Sequence, residues 1–347
     1  MHPRDKAALR LAIGLGLATF IAYGFALPFP YVACLMAVVL LCKPGPPLPV
    51  LKGFIVALLV GALVTTGVLM VPLLEHYAFA GVLLTALLLY ALFFFGQLRK
   101  QGLTTVLVLA FTMIPIAGVA EQALVSALSA ALAVGLIVGA VVSAASNAIF
   151  PDPPRPAAAA APAAAPDRDS ARWIALRGTL IVMPVFVLAL TNPSFYLAAV
   201  MKTVALGQQA SDTHARTAGR ELVGSTLMGA LLALGAWLGL QLWPSLWMLV
   251  LWLMAAALWA GSALFGARPT RLRPSFWANA LLTALILFGP AIEDSASGKS
   301  VLEGGVMRVS LFVGVAFYAW ATVWALERWR AMRPRTPAVE LLQKEIP

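Results

Sequence analysis

Long apolar segments recur along almost the whole chain and leave few ways for it to fold. Hydrophobic residues make up 61% of the 347 residues, and charged residues make up only 11%. A water-soluble domain carries about 25% charged residues, so this chain cannot cover its surface with polar side chains. We therefore expect it to fold in a lipid bilayer as an all-α protein, because helices satisfy their backbone hydrogen bonds internally.

Twelve apolar segments can be placed, and they form two sets of six. The first set covers residues 9–27, 31–42, 50–74, 78–95, 103–119 and 123–150, and the second covers 173–190, 195–209, 220–242, 246–265, 276–288 and 301–324. The second segment spans only roughly 20 Å as a helix, less than the ~30 Å hydrocarbon core, so we expect its neighbours to shield it. The fifth and eleventh segments are also short.

An Ala- and Pro-rich segment separates the two sets. Alanine favours a helix, but prolines every few residues break it, so we interpret residues 151–171 as an extended cytoplasmic linker. The predicted organisation is a first six-helix unit at 1–150, this linker, a second six-helix unit at 172–330, and a cytoplasmic tail at 331–347.

Landmark residues recur in the same order in both halves. The matching pairs are Leu9-Arg10 with Leu176-Arg177, Pro28 and Tyr31 with Pro193 and Tyr196, Lys52 and Gly61 with Arg220 and Gly229, and Gly96 near Arg99 with Gly266 near Arg268. Each unit has an even number of spans. We therefore expect two parallel repeats, related by an axis along the membrane normal.

The distribution of charge predicts the orientation. Arg and Lys exceed Asp and Glu by ten, which in a soluble protein would suggest nucleic-acid binding. Here the basic residues lie in the N-terminus, the linker, the even-numbered loops and the C-terminus, so topology explains them better. The odd-numbered loops carry Glu75, Glu121, Glu293, Asp294 and Glu303, with Lys299 as their one clear basic residue. By the positive-inside rule, both termini are predicted to be cytoplasmic.

The sequence contains no pattern typical of an enzyme. The three histidines, His2, His76 and His214, are scattered, and no metal-ligand spacing, nucleophile motif or phosphate-binding loop is present. Cys34 and Cys42 share one apolar segment, where small buried side chains are expected. We expect no catalytic residue, no metal and no cofactor.

Lys202 is the main candidate for a functional side chain, because a charge at membrane depth is costly. It could bind an anionic substrate or pair with an acid in the interior, or it could extend to the interface. Arg308, inside the last span beside Gly304 and Gly305, also has two possible roles. It could bind substrate, or it could anchor the outer face.

Two matched pairs of cations complete the candidate substrate site. Arg10 and Arg177 lie one turn into the first span of each unit, and Lys52 and Arg220 begin the third spans. They could surround a site near the repeat axis, although cytoplasmic anchoring is the commoner role of such residues.

Three titratable residues of the second unit are candidates for a proton relay. They are Asp212, His214 and Glu221, and histidine titrates near neutral pH. Ordinary polarity of a cytoplasmic loop explains the same residues equally well.

The six-span unit resembles the fusaric-acid-resistance and aromatic-acid-exporter superfamily of bacterial inner-membrane proteins. The resemblance rests on Arg10 and Arg177, on the proline-capped first hairpin, and on the segment GRELVGSTLMG at 219–229. In that segment Ser225 stands where the family's motif has Gly and Thr adjacent, and the first unit has only Lys52-Gly53 and Gly61. Larger members carry a sizeable cytoplasmic domain after each unit, so this chain resembles a compact branch.

The resemblance implies a multi-pass permease that exports aromatic or other weak organic acids. It implies a small organic anion as substrate, a periplasmic membrane-fusion adaptor and an outer-membrane channel as partners, and a homo-oligomer as one possible assembly. Proton coupling would drive the export. Two other classes stay open, namely a passive organic-anion channel, since a plant malate-channel family has a similar six-span unit, and a non-transporting membrane scaffold.

Overall fold

The computed structural model describes residues 2–42, 54–55, 58, 68–99, 104–151, 168–211, 215–296, 298 and 301–332. Within these residues every regular element is helical and there is no strand. The expected all-α fold is therefore confirmed for the part of the chain that the structure describes. Several residues singled out above lie outside it, namely Lys52, Gly53, Gly61, Asp212, His214 and Lys299. Most of the linker and the tail beyond Met332 also lie outside it.

The helices follow the order of the apolar segments. The first half contains α1 (Pro3–Gly24), α2 (Pro30–Leu41), α3 (Met70–His76), α4 (Ala78–Arg99), α5 (Thr104–Ala120) and α6 (Gln122–Ile149). The second half contains α7 (Arg168–Thr191), α8 (Pro193–Ser211), α9 (Ala215–Ala218), a π-helical turn (Gly219–Val223), α10 (Gly224–Leu242), α11 (Leu246–Leu264), α12 (Pro274–Ala296) and α13 (Val301–Met332). Of the third segment, the structure describes residues 54–55, 58 and 68–74, and α3 contains its end.

Eight helices of the described chain are long and apolar enough to cross a membrane. They are α1, α4, α6, α7, the π-helical turn with α10, α11, α12 and α13. The helices α2 and α5 are apolar but shorter. The helix α8 has 19 residues, but Lys202, Gln208 and Gln209 lower its mean hydropathy. The chain is thus a multi-pass membrane protein by length and composition.

Prolines mark where several helices begin. Pro30, Pro193 and Pro274 are the first residues of α2, α8 and α12. Proline suits this position because its fixed φ angle fits a helix and its missing N–H would have no intrahelical partner there. Proline also occurs inside helices, at Pro115 in α5 and Pro290 in α12. The eleventh apolar segment, predicted to end at residue 288, continues past Pro290, because neighbouring helices can satisfy the backbone groups that an internal proline frees.

The two halves pack against each other through reciprocal pairs of helices. Within the halves, α1 contacts α2 and α6, and α7 contacts α8 and α13. Between them, α1 packs against α11 and α4 against α7, while α2 packs against α12 and α5 against α8. Of the eight long apolar helices, α12 is the most enclosed, with 72% of its apolar window buried. It lies in the interior, where it contacts both halves.

Polar contacts show which helix ends lie together. Arg4, at the start of α1, donates to the Gly266 carbonyl in the turn between α11 and α12 at 3.3 Å. Lys6 donates to the Pro151 carbonyl after α6 at 3.5 Å. Trp173, at the start of α7, donates to Glu327 near the end of α13 at 3.3 Å. We call the end that contains these contacts the basic end. We call the opposite end, where α12 meets the start of α13, the acidic end.

Candidate functional site

The Lys202 side chain lies inside the bundle. It projects from the middle of α8, is 0% exposed, and is among the largest fully buried side chains. Its Nζ atom donates to Thr283 Oγ1 at 2.6 Å and to Asn279 Oδ1 at 3.4 Å. Lys202 therefore faces the interior and does not extend to the membrane interface.

Both partners of the lysine are presented by α12. Asn279 and Thr283 are four residues apart, so they lie on the same face of that helix, one turn apart. Both are buried, and Thr283 Oγ1 also donates to the Asn279 carbonyl at 2.6 Å. The side chain of Thr283 is thereby held with a lone pair towards the ammonium group.

No carboxylate oxygen lies within ion-pair distance of the Lys202 Nζ atom among the described residues. Its partners are an amide oxygen and a hydroxyl, which are both neutral. An ammonium group has three N–H donors, and the two contacts occupy two of them. Among the described residues, no anion offsets the charge of the protonated lysine and one of its N–H donors has no acceptor, which is the chemistry that a carboxylate ligand needs.

A chain of hydrogen bonds leads from this site towards the basic end. Asn279 Nδ2 donates to Ser225 Oγ at 2.6 Å. Ser225 Oγ lies 3.4 Å from Gln209 Oε1, and Gln209 Nε2 donates to the Glu221 carbonyl at 3.1 Å. Asn279, Ser225, Gln209 and Glu221 are all buried. The chain therefore connects α12, α10 and α8 with the π-helical turn.

The chain ends at an ion pair on the surface of the basic end. Arg273 Nε lies 3.4 Å from Glu221 Oε1, and the Glu221 side chain is 1% exposed while that of Arg273 is 41% exposed. Glu221 sits in the π-helical turn, and Arg273 immediately precedes α12. Arg220, in the same turn, is exposed. The buried acid is thus covered by an arginine that reaches solvent.

Arg10 and Arg177 have corresponding positions but different partners. Arg10 Nη1 donates to Asn147 Oδ1 of α6 at 2.7 Å. Arg177 is buried, forms an ion pair with Glu327 of α13 at 3.2 Å, and donates to the Ala210 carbonyl at the end of α8. Each arginine therefore joins the first helix of its half to the last. The structure places both in interhelical contacts at the basic end.

Arg308 belongs to a separate cluster at the acidic end. Its Nη2 atom lies 2.5 Å from Asp294 Oδ2, which joins α13 to the end of α12. Asp294 follows Thr283 by eleven residues, or about 16 Å of helix. Arg308 and Lys202 therefore do not share one site, and the five predicted cations that the structure describes are not brought together, while Lys52 lies outside the described residues.

Two residues of the site, Asn279 and Thr283, were missed by the sequence analysis. The signal was available, because they are polar residues four apart within the apolar segment 276–288. Arg273 and Glu327 were also missed as partners of Glu221 and Arg177. They give no such signal, because arginine and glutamate near the end of a membrane helix are ordinary in sequence.

No group of three or more His, Cys, Asp or Glu side chains that could hold a metal ion occurs in the part of the chain that the structure describes. The polar residues around Lys202 are amides and hydroxyls, which are poor ligands for transition metals.

Comparison with known proteins gives one match. Residues 7–146 match the model of a family described as a protein of unknown function (DUF2955). The matched region begins in α1 and ends in α6. Neither a curated protein nor a solved structure matches the chain.

Proposed function

We propose that this protein is an inner-membrane export permease whose substrate is a small organic anion, in particular an aromatic acid. The observation that carries the proposal is the Lys202 ammonium group, which is fully buried at the middle of α8 and has only neutral partners among the described residues. Burying a charge in a membrane protein is costly, and such charges commonly mark a substrate or ion pathway.

The surroundings of Lys202 suit a carboxylate attached to an apolar body. The carboxylate would take the free N–H of the ammonium group in a charge-assisted hydrogen bond. Most of the remaining buried core around α8 and α12 is apolar, with Val200, Met201, Leu281 and Ala284 among its members. An aromatic ring could be buried in such a core without leaving polar groups unpaired.

The proposed architecture is twelve spans in two parallel repeats. To the eight long helices it adds α2, α5, α8 and the segment that ends in α3. The reciprocal contacts between the halves support it, since α1 with α11 corresponds to α4 with α7, and α2 with α12 corresponds to α5 with α8. Further support comes from Arg10 and Arg177, each bonded to the last helix of its own half, and from Pro115 and Pro290 in corresponding helices.

In this arrangement the site would lie beside the boundary between the repeats. The helices that form it, α8 and α12, are those that pack against α5 and α2 of the first half. Rocking of one repeat against the other would therefore change access to Lys202, as in alternating-access transporters.

The site is present in the second repeat alone. When the halves are aligned on Tyr31 with Tyr196, Lys202 corresponds to Ala37, which is buried. When they are aligned on Pro115 with Pro290, Thr283 corresponds to a valine, and Asn279 corresponds to a threonine. The first repeat would then act as a scaffold against which the second moves.

The proposed location is the bacterial inner membrane, with the basic end in the cytoplasm. Arg4, Lys6, Arg273 and Arg328 lie at that end, while Asp294 lies at the other, which agrees with the positive-inside rule. Proton coupling and a periplasmic membrane-fusion adaptor rest on the resemblance to the aromatic-acid exporters.

Transport by the purified protein in proteoliposomes tests the proposal, with labelled benzoate as the probe. Lys202→Met should lower the initial rate roughly tenfold or more, because a hydrogen bond to a charged group contributes about 1.5–3 kcal/mol. Lys6→Met is the matched control, since Lys6 lies at the surface of the basic end, and it should transport at the parent rate. Equal rates for Lys202→Met and the parent would refute the role of Lys202.

Counterflow separates a carrier from the alternatives. A carrier preloaded with unlabelled benzoate accumulates labelled benzoate transiently, whereas a passive channel carries a steady current and shows no such overshoot. A scaffold protein would show no benzoate flux above that of empty liposomes. Stimulation by an imposed proton gradient, abolished by a protonophore, would support proton coupling.

A further inference from the structure

We infer that Glu221, Arg273 and the π-helical turn Gly219–Val223 form a gate that closes the Lys202 site at the basic end. We call this group the basic-end gate. The inference rests on the proposed function for the ligand, but the contacts that form the gate do not depend on the substrate.

The Glu221–Arg273 ion pair is connected to Lys202 by buried hydrogen bonds. The hydrogen-bond chain through Asn279, Ser225 and Gln209 joins the lysine to the residue that carries the ion pair. All three side chains in the chain are buried, and the ion pair beyond them ends in Arg273, whose side chain is 41% exposed. The pair therefore lies where a polar route from Lys202 would reach solvent.

The Glu221–Arg273 ion pair joins α10 to α12. Glu221 is on the segment that leads into α10, and Arg273 is on the segment that leads into α12. Gln209, near the end of α8, binds the Glu221 carbonyl, so a third helix is attached to the same residue. Separation of Glu221 from Arg273 would allow α10 and α12 to part at the basic end.

Glu221 lies in a π-helical turn. A π-helix is rare, is usually a single turn within an α-helix, and is frequent at functional sites. Here it covers Gly219–Val223 and is followed directly by α10. Its backbone departs from the i→i+4 pattern at the residue that forms the ion pair. A small change in the geometry of this turn can therefore move the Glu221 side chain without unfolding α10.

The hydrogen bonds that lead from Lys202 to Glu221 depend on the orientation of each side chain between them. Lys202 can only donate, so its contact requires the Asn279 oxygen to face it and the Asn279 amide nitrogen to face Ser225. The Ser225 hydroxyl can then donate to Gln209 Oε1 at 3.4 Å or to the Leu222 carbonyl at 3.2 Å, and Gln209 Nε2 donates to the Glu221 carbonyl. An anion that draws the ammonium group away from Asn279 would remove the constraint that orders this series. Ligand binding at Lys202 would thus weaken the attachment of the gate.

Thiol accessibility tests the gate directly. The reporter is Ser225→Cys, because Ser225 lies between Lys202 and the ion pair, in a background with Cys34→Ala and Cys42→Ala. Purified protein in nanodiscs, where both ends are open to solvent, is labelled with a bulky membrane-impermeant maleimide. Arg273→Gln should raise the labelling rate roughly tenfold, since removing one partner leaves a buried acid that no longer favours the closed state.

The control variants distinguish opening of the gate from a general destabilisation of the helix bundle. Arg172→Gln breaks an ion pair with Asp169 at 3.2 Å in which both side chains are largely exposed, and it should leave labelling unchanged. Arg273→Lys keeps the charge and should label close to the parent rate. Glu221→Gln should match Arg273→Gln, and the double variant should label no faster than either, because both remove one interaction. Monodisperse elution on size exclusion confirms that each variant is folded.

The outcomes separate the gate from the proposed function. Unchanged labelling of folded Arg273→Gln and Glu221→Gln overturns the gate, whatever the substrate is. If benzoate binds, it should change the labelling rate of the parent reporter by at least about twofold and have no effect in Lys202→Met. Benzoate binding without a change in labelling would overturn the link between Lys202 and the gate. Failure of benzoate transport would count against the proposed function and leave the substrate-free labelling result as it stands.

Discussion

Lys202 shows how a lysine is kept in an apolar interior with no opposite charge beside it among the described residues. Insertion of a lysine at the centre of a membrane helix costs about 2.5–3.5 kcal/mol. Asn279 and Thr283 offset part of this cost with two hydrogen bonds. A carboxylate partner would offset more but would also occupy the ammonium group. Neutral partners therefore leave the site more available to an anionic ligand.

Removal of the threonine hydroxyl should destabilise the protein. Thr283→Val keeps the shape of the side chain but leaves the Lys202 ammonium with one acceptor fewer, at a cost of about 1–2 kcal/mol. The melting temperature in detergent should fall. Thr203→Val is the matched control, because buried Thr203 bonds only to carbonyls of its own helix, at Ala199 and Val200. An equal fall for both variants would show that Thr283 makes no special contact with Lys202.

At the scale of helices, the site depends on how closely α10 approaches α12. A Cβ atom added at Gly229 would lie 2.5 Å from the Ala280 carbonyl oxygen and 2.5 Å from Thr283 Cβ. The backbone of α10 therefore runs against α12 beside the threonine that binds Lys202. Small residues permit such close packing in membrane helices. The distance between these helices sets whether Ser225 and Asn279 can meet.

Substitution of this glycine should force the two helices apart. Gly229→Ala should cost about 1–3 kcal/mol by overpacking, because the nearest atom is backbone and cannot move alone. It should also lower benzoate transport. Gly235→Ala on the same helix has nothing within 4 Å of the new Cβ, and it should be neutral or slightly stabilising. Melting temperatures of the two variants measure the difference, and equal values would contradict the close approach.

At the scale of the molecule, the helix contacts bring the described ends of the chain to one end of the bundle. The start of α1 lies beside the turn between α11 and α12, and the start of α7 lies beside the end of α13. In the proposed arrangement α7 and α8 each cross the bundle, which places the turn between them at the other end. The proposed even number of crossings in each half agrees with this arrangement.

Labelling in intact cells should show the two ends on opposite sides of the membrane. In the background without native cysteines, Thr191→Cys in the exposed end of α7 should react with an impermeant maleimide added outside. Ala267→Cys, in the exposed turn after α11, should react only after the cells are permeabilised. The positive-inside rule gives this direction. Reaction of both positions from outside would refute the topology.

The sequence by itself determined that this chain is helical and belongs in a membrane, because hydrophobic composition and segment length are properties of the chain alone. It also located Lys202, since a single charge in an apolar segment is visible without a structure. The partners of Lys202 were decided by tertiary packing, because Asn279 and Thr283 are about 80 residues away and only the approach of α12 to α8 brings them within hydrogen-bond distance. The ion pair of Glu221 and Arg273 was also decided by tertiary packing, because in the sequence both residues resemble ordinary loop charges and only the fold brings them together.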